Sequence, residues 1–185
     1  MKRLETRLDG LVLLESTVHG DARGFLAETF RQDALAEHGV EVDFVQDNHS
    51  RSSRGILRGM HFQTRPGQAK LVRCARGAML DVVVDLRRGS PTFGEWEGVE
   101  LDDERMRQLF LPVGFAHGFC VLSDVADVVY KLSSYYDAAT ESGIAFDDPD
   151  VGIAWPDLEL LVSERDAGAL RLAEIADDLS FAWRG

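Results

Sequence analysis

"AKLVRCARGAMLDVVVDLRRGSPTFG", residues 69–94, points most directly to the architecture of the chain. Two runs rich in β-branched and apolar residues flank Arg76-Gly77, and the second ends in a Gly-Ser-Pro turn at residues 89–91. That pattern predicts a β-hairpin turning at Arg76-Gly77, then a loop. Further on, "DVADVVYKLSSYY" (124–136) alternates apolar and polar residues as another strand. Period-2 geometry puts Ala126, Val128, Tyr130, Leu132, Ser134 and Tyr136 on one face of it, with Asp127, Val129, Lys131 and Ser133 on the other. Helical periodicity is confined to "RQDALAEHG" (31–39), closed by a glycine, and "SERDAGALRLAEIA" (163–176). Strand runs with turns at short spacing predict a sandwich or barrel with two helices packed outside.

The 185 residues form one expected domain, 1–185, with no linker, repeat or low-complexity tract between its strands. With 32 acidic against 20 basic residues the formal charge is −12, so the surface as a whole repels a phosphate backbone. Nucleic acid is therefore an unexpected partner. A small phosphorylated ligand remains open to it, because Arg23, Arg58, Lys70 and Arg73 fall among the motifs. No apolar run approaches the roughly 18 residues of a membrane span, and the opening "MKRLETRLDGLVLLES" lacks a signal-peptide pattern. A cytoplasmic location is expected. Cys74 and Cys120 lie in apolar strand-like runs without CxxC spacing and read as buried reduced thiols.

Chemistry centres on "GILRGMHFQ" (55–63), where Arg58 and His61 stand three apart between glycines. Strand parity sets Leu57, Gly59, His61 and Gln63 on one face and Arg58 on the other, so the two share a ligand only across a bulge or strand end. Gly59 permits one. A catalytic metal is not expected, since zinc sites supply three or more protein ligands and only His117, in "LPVGFAHGF", lies in a comparable glycine-bounded turn. As a general base, His61 needs an orienting carboxylate, for which Asp81, Asp85 and Asp166 are candidates. A hydrogen-bonded core histidine is the other reading. Tyr130 has packing, and Asp166 a capping box from Ser163, as alternative explanations.

Taken in order, "DARGFLAETF", "QDNHS", "GILRGMHFQ", "AKLVRCARGAMLDVVVDLRRGSPTFG", "LPVGFAHGF", "YKLSSYY", "IAWP" and "LVSERD" resemble the dTDP-4-dehydrorhamnose 3,5-epimerase family of nucleotide-sugar epimerases, from about residue 8 to 170. The resemblance implies a mainly β, double-stranded β-helix of the cupin or jelly-roll kind with a few short peripheral helices. It implies a homodimer with strand exchange and shared active sites, and no metal or other cofactor.

For this family the resemblance makes His61 the base, Asp166 its partner, Tyr130 the acid on the opposite sugar face, and Lys70 the cation at the 4-keto oxygen. Arg23, Glu28, Gln46, Asn48, Arg58, His117, Tyr136, Glu141 and Arg165 fall on substrate-holding positions. Arg165 stands where members often have lysine. The implied reaction converts dTDP-4-dehydro-6-deoxy-D-glucose to dTDP-4-dehydro-L-rhamnose by epimerisation at C3 and C5. The alternatives are an epimerase acting at only one of those carbons and a non-catalytic sugar-nucleotide-binding cupin.

Overall fold

The structure, a computed structural model, describes residues 1–183. Its strands are Lys2–Leu4 (β1), Val12–Glu15 (β2), Val18–Asp21 (β3), Gly24–Ala27 (β4), Gln46–Ser53 (β5), Leu57–Gln63 (β6) and Lys70–Arg76 (β7). The later ones are Ala78–Asp85 (β8), Trp96–Asp102 (β9), Arg107–Leu111 (β10), Phe115–Val121 (β11), Val125–Leu132 (β12) and Glu141–Gly143 (β13). Three short helices, Gln32–Ala36 (α1), Glu164–Ala167 (α2) and Leu172–Ile175 (α3), stand outside the strands. None of the described helices is long and apolar enough to cross a membrane.

Two antiparallel sheets face each other, one ordered β1-β2-β10-β7-β12-β5 and the other β13-β6-β11-β8-β9. This is the jelly-roll, cupin-like fold. Between the sheets lies a core of Leu13, Val72, Cys74, Leu109 and Val128 from the first, and Met79, Val83, Leu101, Phe115 and Phe119 from the second. Each sheet is also covered on its outer face. Leu35, Val40, Phe30 and Phe44 pack over Val12, Leu14, Leu71 and Phe110. On the other side, Val151, Leu172, Leu179 and Phe181 pack over Met60, Phe62, Val82, Val84 and Ala116. Burial on both faces explains why 82–84 reads as an unbroken valine run: Val83 points inward while Val82 and Val84 point out, yet all three are dry.

The same coverage misleads a reading of Arg76-Gly77 as a hairpin turn. β7 and β8 pair with different strands in different sheets, so the chain crosses from one layer to the other at Gly77. Gly77 has a φ of +78°, and a Cβ there would lie 2.2 Å from the Val125 carbonyl oxygen, so the corner admits only glycine. Two other expectations change. The strand expected over 124–136 ends at Leu132, and the helix expected over 163–176 is split into α2 and α3. Its middle is diverted by other partners, because the Leu170 carbonyl accepts from Ala145 N at 2.8 Å and the Leu172 amide donates to Asp148 Oδ2 at 2.8 Å.

A bulge in β6 decides which of its side chains face the core. Against β11, Arg58 pairs with Phe119 and His61 with His117, so Gly59 and Met60 together oppose Gly118 alone. The extra residue shifts the parity by one, and Arg58 and His61 both turn inward despite their odd spacing. Two glycines make the crossing close enough. A Cβ on Gly59 would sit 2.5 Å from Gly118 Cα, and one on Gly118 would sit 2.6 Å from Met60 Sδ and 2.9 Å from the Arg58 carbonyl oxygen. Gly118→Ala therefore overpacks a site with backbone on one side. It should lower unfolding free energy by about 1–3 kcal/mol in urea titrations, whereas the same change at Gly39, where a Cβ meets nothing within 4 Å, brings only a local φ cost.

Candidate active site

At one end of the inter-sheet space the apolar core gives way to a cavity of about 470 Å³. Both sheets wall it. β6 and β11 contribute Arg58, His61, His117 and Phe119, while β5, β7 and β12 contribute Asn48, Lys70, Tyr130 and Leu132. The segment before and within α2 closes a third side with Leu161, Val162, Ser163, Arg165 and Asp166. It is tied to the barrel by backbone bonds from Leu57 N to the Leu161 carbonyl, 2.9 Å, and from Leu161 N to the Gly55 carbonyl, 3.0 Å.

His61 meets Asp166 across this junction, Nε2 to Oδ1 at 2.7 Å. The other carboxylate oxygen accepts the Gly59 amide at 3.2 Å, so the bulge that turns His61 inward also anchors its partner. Ser163 Oγ caps α2 by accepting the Asp166 amide at 3.1 Å. Only half of the expected capping box forms, because the Asp166 carboxylate is spent on the imidazole. A carboxylate at Nε2 holds the hydrogen on that nitrogen and leaves Nδ1 with a free lone pair able to accept a proton. The other two candidate carboxylates serve elsewhere. Asp81 pairs with His117 Nε2 at 2.8 Å, and Asp85 binds Arg87, Ser90 and Thr92.

Lys70 lies 7% exposed on the cavity floor. Its Nζ makes one long contact, 3.5 Å, to the His61 carbonyl oxygen, leaving its other hydrogens for a ligand. Burial brings its pKa down from 10.5 to about 8, with Asp81 and Glu141 pulling the other way. His117 is likewise held below its ordinary value by burial, opposed by Asp81. Among the described residues no three His, Cys, Asp or Glu side chains converge as a metal site.

At the mouth, Glu141 Oε2 accepts from Tyr136 Oη at 2.9 Å and from Arg165 Nη1 at 2.6 Å. Gln46 stands behind this group: its Oε1 accepts the Tyr136 amide at 2.9 Å and its Nε2 donates to Asn48 Oδ1 at 3.0 Å. Thus ten of the thirteen residues singled out from the sequence line one cavity, and Gln46 buttresses it. The remaining two do not come near. Arg23 and Glu28 belong to the β3–β4 hairpin and the residue just past it, a separate two-stranded sheet, where they pair with Asp21 and Arg31. Sequence reasoning missed Ser52, whose Oγ accepts from Arg58 Nε at 3.1 Å. Its position on the alternating face of β5 with Gln46 and Asn48 was the available signal. It also missed Gln68, Phe119, Leu161 and Val162 as lining residues, and read Ser163 only as a helix cap.

A family profile described as dTDP-4-dehydrorhamnose 3,5-epimerase matches residues 5–174. The chain belongs to this family. It is 52% identical over 167 residues to the dTDP-4-dehydrorhamnose 3,5-epimerase of Methanothermobacter thermautotrophicus, covering 88% of this chain and 90% of that one. A solved dTDP-6-deoxy-D-glucose-3,5-epimerase from Legionella pneumophila, in complex with dTDP-4-keto-L-rhamnose, superposes with a TM-score of 0.96 at 43% identity and covers 100% of this chain and 99% of its own. The family also includes a dTDP-4-dehydrorhamnose 3-epimerase from Streptomyces niveus, 46% identical over 172 residues, 92% of this chain and 83% of that one.

The depressed Lys70 pKa has a thermodynamic signature. Between about 8 and 10.5 the unfolded chain holds a proton on this lysine that the folded chain has released, so stability contributed by this group rises with pH across that window. At about 1.4 kcal/mol per pKa unit the full change is about 3 kcal/mol. Urea titrations from pH 7 to 10.5 should show the stability of the wild type rising relative to Lys70→Met by that order.

Proposed function

We propose that the cavity epimerises dTDP-4-dehydro-6-deoxy-D-glucose at C3 and C5 to dTDP-4-dehydro-L-rhamnose. One observation carries the reading: His61 and Tyr130 enter the same cavity from opposing sheets, with Lys70 on the floor. Inverting a carbon beside a ketone requires a proton to leave one face of the ring and another to arrive on the opposite face. His61 takes the carbon-bound proton on Nδ1, the C–H electron pair moves into the C–C bond of the enolate, and charge collects on the 4-keto oxygen. Lys70 supports that oxyanion with its ammonium. The enolate then collapses by taking the phenolic hydrogen of Tyr130 at the same carbon, which inverts it. Once His61 has passed its proton to solvent and the Tyr130 phenolate has taken one up, repetition at the other carbon completes the reaction, and protons and electrons balance without an oxidant.

Arg58, with its guanidinium oriented by Ser52, is suited to the diphosphate. Asn48, His117, Tyr136, Glu141 and Arg165 line the remaining wall as substrate contacts. The test is proton NMR in deuterated buffer containing EDTA. Loss of the C3 and C5 signals is expected in the wild type, and His61→Asn should abolish exchange at both carbons. Exchange at one carbon alone would make the protein a mono-epimerase, and binding of dTDP with no exchange a sugar-nucleotide-binding module.

The active unit is a homodimer in which Arg23 and Glu28 reach the cavity of a second copy. What supports this is the hairpin that carries them. It stands clear of its own cavity and exposes Phe25 (63%) and Leu26 (73%), large apolar side chains that a lone chain leaves in water. A cytoplasmic location fits the two buried free thiols. Mixing His61→Asn chains with Arg23→Ala chains decides the geometry. Shared sites give each mixed dimer one intact site, so activity should return on mixing. Arg23 acting within its own chain leaves every site defective and the mixture inactive.

A further inference from the structure

Behind His117, in the cavity wall, stands a carboxylate that the proposed reaction leaves unused. Asp81 on β8 is fully buried, and its Oδ1 accepts from His117 Nε2 at 2.8 Å. Its Oδ2 has no hydrogen-bond partner among the described residues. A buried carboxylate with a bare oxygen is costly unless a cation nearby balances it through space. Lys70 lines the same cavity as His117, the residue Asp81 binds, and makes no ion pair within 4 Å among the described residues; Asp81 acts on it through space as the foremost influence favouring its charged form. The two come from different sheets, β8 and β7.

Resting on the epimerase reading, we infer that Asp81 is a positioning residue for the reaction: it keeps Lys70 charged beneath the forming oxyanion and fixes His117 with its Nε2 hydrogen turned toward β8. Both effects follow from one negative charge. Burial by itself drives Lys70 toward the neutral amine, which offers a hydrogen bond to an enolate but no charge. Asp81 opposes that drift. His117 cannot replace it as the cation, since burial favours its neutral form and its neighbours Lys70 and His61 add to the same tendency. With Nε2–H bound to Asp81, His117 presents Nδ1 as an acceptor for a sugar or phosphate-bearing group. The other ionisable groups lining this cavity are Tyr130 from β12, Tyr136 after it, Glu141 from β13, Arg58 and His61 from β6, and Asp166 and Arg165 from α2. Of these, Glu141 also favours the charged lysine, but it is engaged at the mouth by Tyr136 and Arg165.

Asp81→Asn keeps the shape and removes the charge. The C3 and C5 exchange rates of this variant and the wild type, followed from pH 6 to 10, should differ in two ways. The rate at pH 8 should fall, by up to about tenfold for each unit by which the Lys70 titration moves down. The alkaline limb, where Lys70 loses its proton, should also move to lower pH, because the favourable partner of the ammonium is gone. A merely structural role would lower the rate without moving that limb, and that outcome overturns the inference. Nitrogen-15 NMR of the histidine rings in the unliganded wild type needs no variant to fold. His117 should carry its hydrogen on Nε2 with Nδ1 bare, and a bare Nε2 also overturns the inference. Wild-type protein that exchanges neither carbon sinks the epimerase reading, and the ring measurement still decides the placement of His117 by Asp81.

Discussion

The close crossing of Gly59 and Gly118 sets the geometry on which the rest of the site depends. A regular strand would leave Arg58 and His61 on opposite faces, one in the cavity and one in the outer apolar layer with Met60 and Phe62. The extra residue of the bulge brings both inward. The amide it frees from regular pairing binds Asp166. One backbone irregularity thereby selects which side chains face a ligand, supplies a fixed donor to the carboxylate behind His61, and demands two residues without side chains to let the strands approach.

Around that crossing, the two sheets divide the chemistry. His61 and His117 stand on one, Lys70 and Tyr130 on the other, and the ring of a ligand between them would present one face to each. Such opposition is natural to a sandwich, whose inner faces already point at one another. The polar groups stand where the apolar core ends, and their placement costs stability. Lys70 gives up part of its affinity for its proton on folding, and Asp81 keeps an oxygen without a donor. The apolar layers outside both sheets supply the compensating burial.

Much of this was legible in the sequence, and the parts that were not share a cause. The strands, the two faces of β12 and the room for a bulge at Gly59, as one of two ways to bring Arg58 and His61 together, follow from local periodicity and from glycine. The role of the Arg76-Gly77 corner does not, since a turn within a sheet and a crossing between sheets look alike until the partners of β7 and β8 are known. The split of the last helix has the same origin, because residues 170–172 are claimed by Ala145 and Asp148 far back in the chain. Among the carboxylates, Asp81 and Asp166 were equally available to His61 on paper. Strand pairing sets Asp81 by His117, and the docking of the segment from residue 161 brings Asp166 to His61. Arg23 and Glu28 were recognised by motif, but motif carries no information about how far the β3–β4 hairpin stands from the cavity of its own chain.

The segment bearing Asp166 has a further consequence for how the protein comes into being. His61 and its carboxylate are separated by 105 positions, and the bond between them closes only after the strap from residue 161 onward docks against Gly55 and Leu57. A chain emerging from the ribosome carries both walls of the barrel well before that strap exists. Chemical competence is therefore among the last properties the nascent protein acquires, and partly finished chains hold a cavity with an unoriented imidazole. The long-range closure also places the protein with slowly folding, non-local β topologies.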